Sequence, residues 1–349
     1  MSFVTRSAMR DVKSVLIVVV VLCPLTALGL QAAGGSPRPG PVAGEAFAQT
    51  LSERARLVGT YRLVGREVKD EDGTWRPTPN FNEVGYITYS DTGYMGVQVM
   101  PNARAPFAGD QPTADEARTA LQGYSAYYGP FSTDEDEDGT FVVHHRMGQI
   151  DPGGAVDAKR FYDVDGDRLI LTPATPDGRK VGAPRRVVWE RLPEVPLSNE
   201  ARRFVGFRQL LYTDRYTERD GRLVSHGDRN ESRAGSYIIY TPTGHMMVHL
   251  MAREGREPYA GTTPTPDEAL AAYQTYGGYF GRFTVHDDAD PPYVVHHLEG
   301  RPRPGPLTDA VRLYELDGNV LRLGGRPRMS DGEATGGHLY WEILPARPE

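Results

Sequence analysis

Cysteine is almost missing: the one in the 349 residues is Cys23, inside an N-terminal apolar run. The rest of the chain therefore has no disulfide framework and no cysteine metal site. The body of the chain carries no basic cluster and the net charge is −7. Nucleic acid thus has no electrostatic footprint, and no nucleic-acid partner is expected. The strongly apolar N-terminal run falls short of the roughly 20 residues of a comfortable membrane span. Also absent are Gly-x-Ser-x-Gly, Cys–His and His-Glu-x-x-His arrangements, the Rossmann glycine fingerprint and the P-loop. These absences leave open an isomerase or cyclase working by pocket shape and one acid or base.

The N-terminus has the order of a targeting segment. Arg6, Arg10 and Lys13 precede an apolar run from Val15 to Leu22, and Pro24 interrupts it. Ala27-Leu28-Gly29 and Ala32-Ala33 offer small-residue cleavage sites. Residues 1–33 are read as a signal peptide, with an uncleaved anchor as the alternative. A lipoprotein would modify Cys23, but Leu22 before it is not small. The expected localisation is exported, periplasmic or secreted, with no membrane contact beyond such an anchor. Residues 34–55, rich in Gly, Pro and Ala, read as a flexible tether.

What is present is a repeat. Phe141-Val142-Val143-His144-His145 returns 152 residues later as Tyr293-Val294-Val295-His296-His297. The flanks follow, so one module is written twice, over 56–192 and 204–345, with 193–203 as linker. Alternating apolar runs with plentiful Gly and Pro (39 and 28) predict short strands joined by turns. Gly85–Tyr89 and Tyr94–Met100 form a hairpin, copied at Tyr237–Tyr240 and His245–Met251. A capping box, Thr113 with Glu116, opens a helix whose stripe is Ala117, Ala120, Leu121, Tyr124 and Tyr128. The copy has Thr265, Pro266 and Glu268, with the stripe running to Phe280; Gly129 and Gly281 mark the stops. Each module sums to about eight antiparallel strands with one helix after the third. Eight strands is the size at which a closed barrel encloses side chains or one small ligand.

Several motifs together resemble the bacterial lipocalin-like domain family. In module one they are Met95–Met100, Arg104-x-Pro106-Phe107, Tyr124-x-x-Tyr127-Tyr128-Gly129, the His144-His145 pair, Lys159-Arg160-Phe161, Asp165–Leu169 and Trp189-Glu190-Arg191. Module two carries Met246–Met251, Arg256-x-Pro258-Tyr259, Tyr276-x-x-Tyr279-Phe280-Gly281, His296–Gly300, Val311–Leu313, Asp317-Gly318 and Trp341-Glu342. The resemblance implies a mainly β chain of two tandem antiparallel calycin-type barrels. It supplies a fold more than an activity. Two departures stand out. Arg208 occupies the floor position that Tyr61 fills in module one, which predicts a more open or divergent floor in module two. Arg146-Met147-Gly148 replaces the Leu298-Glu299-Gly300 that is usual for the family.

Strand geometry splits each histidine pair across two faces, so neighbouring histidines cannot chelate one metal. His145 and His297 are expected to face the lumen, beside the bulky Phe141 and Tyr293. Arg160 and Arg312 repeat on the next strand; each is either a structural arginine or a carboxylate anchor. Tyr86 and Tyr237, Gln98 and His249, and Met100 and Met251 complete the expected lumen set, apolar with a few polar anchors. The run Asp134–Gly139 begins like a calcium loop, but His145 stands where the bidentate glutamate belongs; it reads as an acidic hairpin tip. No metal or other cofactor is expected. Three functions remain: a binder of a small apolar or amphipathic molecule without turnover, a pocket-shape isomerase, cyclase or hydratase on a lipid- or polyketide-like compound, and an interaction protein with filled barrels. The first is preferred, with a small hydrophobic ligand as partner.

Overall fold

Residues 53–153, 156–330 and 332–347 are described by the computed structural model, and all of them belong to one compact unit. The expected targeting segment and most of the tether lie outside the described residues. The first half opens with helical residues 53–57 (α1). It continues with β1 (Gly59–Lys69), β2 (Trp75–Pro77), β3 (Glu83–Tyr89), β4 (Tyr94–Pro101), α2 (Ala114–Leu121) and β5 (Ser125–Asp136). Then come β6 (Gly139–His145), β7 (Gly148–Gln149), β8 (Asp157–Asp165), β9 (Arg168–Pro173) and β10 (Arg185–Arg191). Eight of these strands pair antiparallel in the order β1-β3-β4-β5-β6-β8-β9-β10, and β10 returns to β1. The sheet is closed, with β2 and β7 as short additions.

The second half repeats this plan. It runs α3 (Asn199–Phe204), β11 (Gly206–Arg219), β12 (Arg222–Ser225), β13 (Tyr237–Tyr240), β14 (His245–Met251) and α4 (Pro266–Gln274). It ends with β15 (Tyr276–His286), β16 (Tyr293–Gly300), β17 (Ala310–Asp317), β18 (Val320–Gly324), β19 (Arg328–Ser330) and β20 (Glu333–Ile343). Strand β20 closes the second barrel on β11. The expected two eight-stranded barrels, each with a helix after its third barrel strand, are present.

Both helices start where the capping boxes place them, with Thr113 and Glu116, and Thr265 and Glu268, bonded reciprocally. They stop earlier than the stripes predict. Gln122 and Thr275 are the C-caps, and Tyr124 and Tyr276 already lead into strands β5 and β15. Glycines 129 and 281 are therefore strand residues. A Cβ there would meet the carbonyl oxygen of His145 at 2.0 Å or of His297 at 1.9 Å, so close passage of the neighbouring strand, rather than helix termination, requires glycine.

One helix per barrel was missed, and it seals the floor. In barrel one α1 sets Leu57 under Tyr61, whose hydroxyl donates to the Leu57 carbonyl at 2.9 Å. Arg191 stacks on the Tyr61 ring at 4.6 Å. In barrel two, α3 begins in the stretch read as linker and ends at the first module residue, inserting Phe204 among Tyr240, Phe283 and Tyr314. The expectation of an open second floor is corrected. Arg208 is buried, and its Nη1 and Nη2 donate to the carbonyls of Asn319 (3.0 Å) and Arg203 (2.6 Å). A guanidinium plugs a floor when its donors are all aimed at main-chain oxygens.

Three apolar clusters follow from this plan. One fills each barrel, and the third lies between them, built by Tyr86, Tyr94, Met100, Tyr128, Tyr237 and Phe280 among others. Strands β3 and β4 of barrel one meet the matching sheet face of barrel two, and α2 packs on α4.

Candidate ligand-binding lumen

The histidine pairs divide as strand geometry requires, with the opposite sense to that expected. His144 and His296 are fully buried in the barrels. His144 shares its face with Val142, which belongs to the interior cluster. Phe141 and Tyr293, the bulky neighbours that pointed to His145 and His297, lie on the outer face: Phe141 packs edge-on against Phe161, and Tyr293 stacks with His286. Each buried ring is held by two tyrosines. Tyr89 reaches His144 Nε2 at 2.8 Å and Tyr127 reaches Nδ1 at 3.0 Å. Tyr240 and Tyr279 do the same for His296, both at 2.8 Å. Burial pulls the His296 imidazole down to about 3 and His144 well below its ordinary value, so both are neutral. With both nitrogens engaged, neither ring has capacity left for a ligand.

His145 and His297 stand on the outer wall. His145 lies between Ser132 (2.8 Å) and Asp157 (3.1 Å), and His297 between Thr284 (3.0 Å) and Asp309 (2.8 Å). The order hydroxyl–imidazole–carboxylate is that of a nucleophilic triad. Here, however, Ser132 sits on an open sheet face and its residue is paired with Val143 in the ladder. The array is a cross-strand polar ladder.

Six further expected lumen residues lie between the barrels instead. Tyr86 donates to Glu299 of barrel two, and Tyr237 contacts Met147 Sδ of barrel one at 3.6 Å. Gln98 Nε2 donates to the Val248 carbonyl at 2.9 Å and lies 3.4 Å from His249 Nε2. Tyr124 donates to Gln98, and the Tyr276 hydroxyl pairs with His249 Nδ1, each at 2.8 Å. Met100 belongs to the same cluster and Met251 packs against it. The reason is geometric: a sheet face covered by a second barrel is as apolar as one turned to a lumen, and alternation cannot tell them apart.

The lumen of barrel one holds a cavity of about 260 Å³. Ile87, Val97, Val99, Leu171 and Val187 make an aliphatic lining, and Arg66, Arg146, Arg160 and Trp189 add donors. Arg66 is committed to Glu83: its Nε donates to both carboxylate oxygens at 2.9 Å and its Nη2 to one of them at 2.7 Å. Arg146 and Arg160 have no carboxylate ion pair among the described residues. Arg160 Nη1 donates to the Lys159 carbonyl at 2.9 Å, and Arg146 Nη1 to Gln149 at 2.9 Å. The Arg146 guanidinium lies over the Tyr127 ring at 4.4 Å, yet its Nε is buried without a partner, as is Trp189 Nε1. Burial pulls the Arg146 guanidinium below its ordinary pKa; the like charge of Arg160 adds to this, while Tyr127 and Asp151 oppose it.

Of the expected anchors, then, Arg160 lines the cavity, and Arg312 has the equivalent place, its Nη1 donating to the Val311 carbonyl at 3.2 Å. Trp341 Nε1 repeats the unpaired indole of Trp189. Arg146 was missed as a site residue although it sits in the departure from the family pattern; barrel two has Leu298 there. The acidic tip is a hairpin turn between β5 and β6, and its charges are spent locally. Asp138 accepts from Arg179 Nε at 2.7 Å, and these bonds hold its carboxyl down at about 2. Among the described residues no group of three or more His, Cys, Asp or Glu side chains is placed to hold a metal ion. Among them, too, no helix is long and apolar enough to cross a membrane.

A closed eight-stranded antiparallel barrel with a floor helix and an apolar lumen defines a calycin-type barrel fold. The lipocalin-like domain model matches residues 58–192 and 231–343, and the chain belongs to that family. The second match begins after β11 and β12, so it omits the segment that carries Arg208. The sequence matches none of the curated proteins. Among solved structures it is similar to a protein of unknown function from the DUF3598 family of Nostoc punctiforme. The two share 10% identity, with 84% of this chain and 99% of that one covered and a TM-score of 0.21.

Proposed function

We propose that this is an exported binding protein whose first barrel takes a small amphipathic molecule with an acidic group. The observation that carries the reading is a mismatch inside an otherwise satisfied lumen. Arg146 Nε and Trp189 Nε1 are buried without partners, and the neighbouring Arg146 and Arg160 guanidiniums have no carboxylate ion pair among the described residues, Asp151 acting on Arg146 only at a distance. A buried donor left unpaired costs about 1–3 kcal/mol, and a charged one more. An acidic ligand would supply acceptors and opposite charge together, while its apolar part replaces water along the aliphatic lining. The cavity of about 260 Å³ is slightly smaller than the usual ligand site of roughly 300 Å³ or more, so it suits a small ligand. The N-terminal charge and apolar run support export.

Native mass spectrometry of the protein isolated from the cell envelope or medium tests both parts. It should show a co-purified acid of a few hundred daltons and an N-terminus beyond Gly29 or Ala33. Titration with a fluorescent fatty-acid probe, dansylaminoundecanoic acid, should show saturable binding to one site. Arg160→Gln with Arg146→Leu should weaken it about 10–100-fold, the scale of one or two charge-assisted bonds. Equal affinity of this double variant and the wild-type protein would sink the reading.

A further inference from the structure

The duplicated fold should offer two equivalent grooves where a lumen mouth of one barrel meets the helix-side loop of the other. It offers one open groove and one strapped groove. The strapped one lies beside α4. There Phe107 of barrel one packs edge-on against Tyr273 at 5.6 Å, and Arg303 covers the Phe107 ring at 5.3 Å. Arg303 then reaches across to the carbonyls of Asp110 (2.6 Å) and Gly109 (3.2 Å).

At the equivalent place beside α2 the arginine is replaced by Asp151, and the phenylalanine by Tyr259. Asp151 is too short for such a strap: its carboxylate accepts from its own turn, from Gly153 N–H at 2.9 Å. A groove of about 450 Å³ stays open there, walled by Leu121, Tyr124 and Ile150 of barrel one and by Tyr259, Thr263 and Pro264 of barrel two. Tyr124, Ile150 and Asp151 line both this groove and the barrel-one cavity. Barrel two also fixes the shared wall. Arg256 donates through Nη2 to the carbonyls of Gln149 (2.5 Å) and Ile150 (3.0 Å), and the Tyr259 ring lies against Gly153.

We propose that the ligand site is composite: the acidic head is held in the barrel-one lumen and an aliphatic tail runs past Tyr124 and Ile150 into the groove under Tyr259 of barrel two. The proposal rests on the binding reading above and adds a ligand class, long-chain aliphatic acids too large for the lumen alone. It also gives barrel two a task, to supply the second wall. Three asymmetries of the repeat converge on the same mouth: Arg146 against Leu298, Asp151 against Arg303, and Tyr259 against Phe107.

The test is a chain-length series, octanoic to hexadecanoic acid, displacing the dansyl probe from the whole protein. Wild-type affinity should rise with length up to hexadecanoate. Thr263→Trp, an exposed position that fills the groove, should cut hexadecanoate affinity at least tenfold and leave octanoate within twofold. Tyr259→Ala should act in the same direction, more weakly. Arg146→Leu with Arg160→Gln should weaken all lengths alike. A groove variant that weakens every length equally, or none, overturns the composite site while leaving the lumen reading in place. Failure of every acid to displace probe from the wild type overturns both.

Discussion

His144 has both ring nitrogens bonded to tyrosine hydroxyls in a place without exposure, and this decides how acid acts on the fold. A buried neutral histidine has a folded pKa below its unfolded value of about 6.5. The unfolded chain therefore binds the proton first, and stability falls as pH drops below about 6.5 toward the folded pKa. His249 and His296 are pulled down to about 3 and His144 also lies well below its ordinary value, in each case chiefly by burial. At pH 5 His249 and His296 should each cost about 2 kcal/mol relative to pH 7, and His144 acts in the same direction. His245 and His338 shift the same way. Urea midpoints between pH 7 and 5 should fall steeply, before the carboxylates begin to titrate. In His144→Phe the slope should become shallower, and stability at pH 7 should fall by about 2–4 kcal/mol for two orphaned hydroxyls. A pH-independent midpoint across this window would refute the assignment. Sequence spacing did reveal that one histidine per pair is interior. It did not reveal which, because Phe141 and Tyr293 look like lining residues and in fact cover the outer wall.

At the scale of elements the barrel floors show two solutions to one requirement. Barrel one uses the ring of Tyr61 under Arg191, and barrel two the guanidinium of Arg208 bonded to carbonyls at the end of α3. Burial lowers Arg208 to about 10, so it remains charged at neutral pH and favours the carboxyl end of the helix. Arg208→Ala should strip the donor from the Arg203 carbonyl, leave the Asn319 carbonyl with the Ile343 N–H alone and cost about 1–3 kcal/mol, read as a shift in the denaturant midpoint. A shift below about 0.5 kcal/mol would show that water replaces the side chain without penalty. The capping boxes, hairpin turns and strand count were legible because each depends on local chemistry. The helix ends were not: Tyr124 and Tyr276 keep helical spacing but serve strands. The floor helices were hidden too, since α3 is only six residues long and all but its last residue falls in the stretch read as linker.

At the scale of the molecule the interface has the pattern of an isologous dimer. Arg104 donates to the carbonyls of Arg301 and Pro302, and its equivalent Arg256 donates to those of Gln149 and Ile150. Gln98 faces its own counterpart His249 across the middle of the contact. Residue i of one barrel thus meets j of the other, while the equivalent of j meets the equivalent of i, as two-fold self-complementarity demands. Sequence could establish the repeat but not this pairing, because an apolar face reads alike whether it lines a lumen or meets a partner. Barrel one alone would expose Tyr86, Met100 and Tyr128, an apolar patch a monomer rarely tolerates. Residues 53–192, produced as a separate chain, should therefore form a homodimer through the same face. Tyr86 would meet Met147 of the second copy, and Arg104 would keep carbonyl acceptors at Gln149 and Ile150. Light scattering after size exclusion should give twice the chain mass, and Gln98→Arg, which sets two like charges against each other at the centre, should return it to monomer or aggregate. A folded monomer at micromolar concentration would show that the symmetry is only a relic of duplication and that the interface draws its stability from the covalent link.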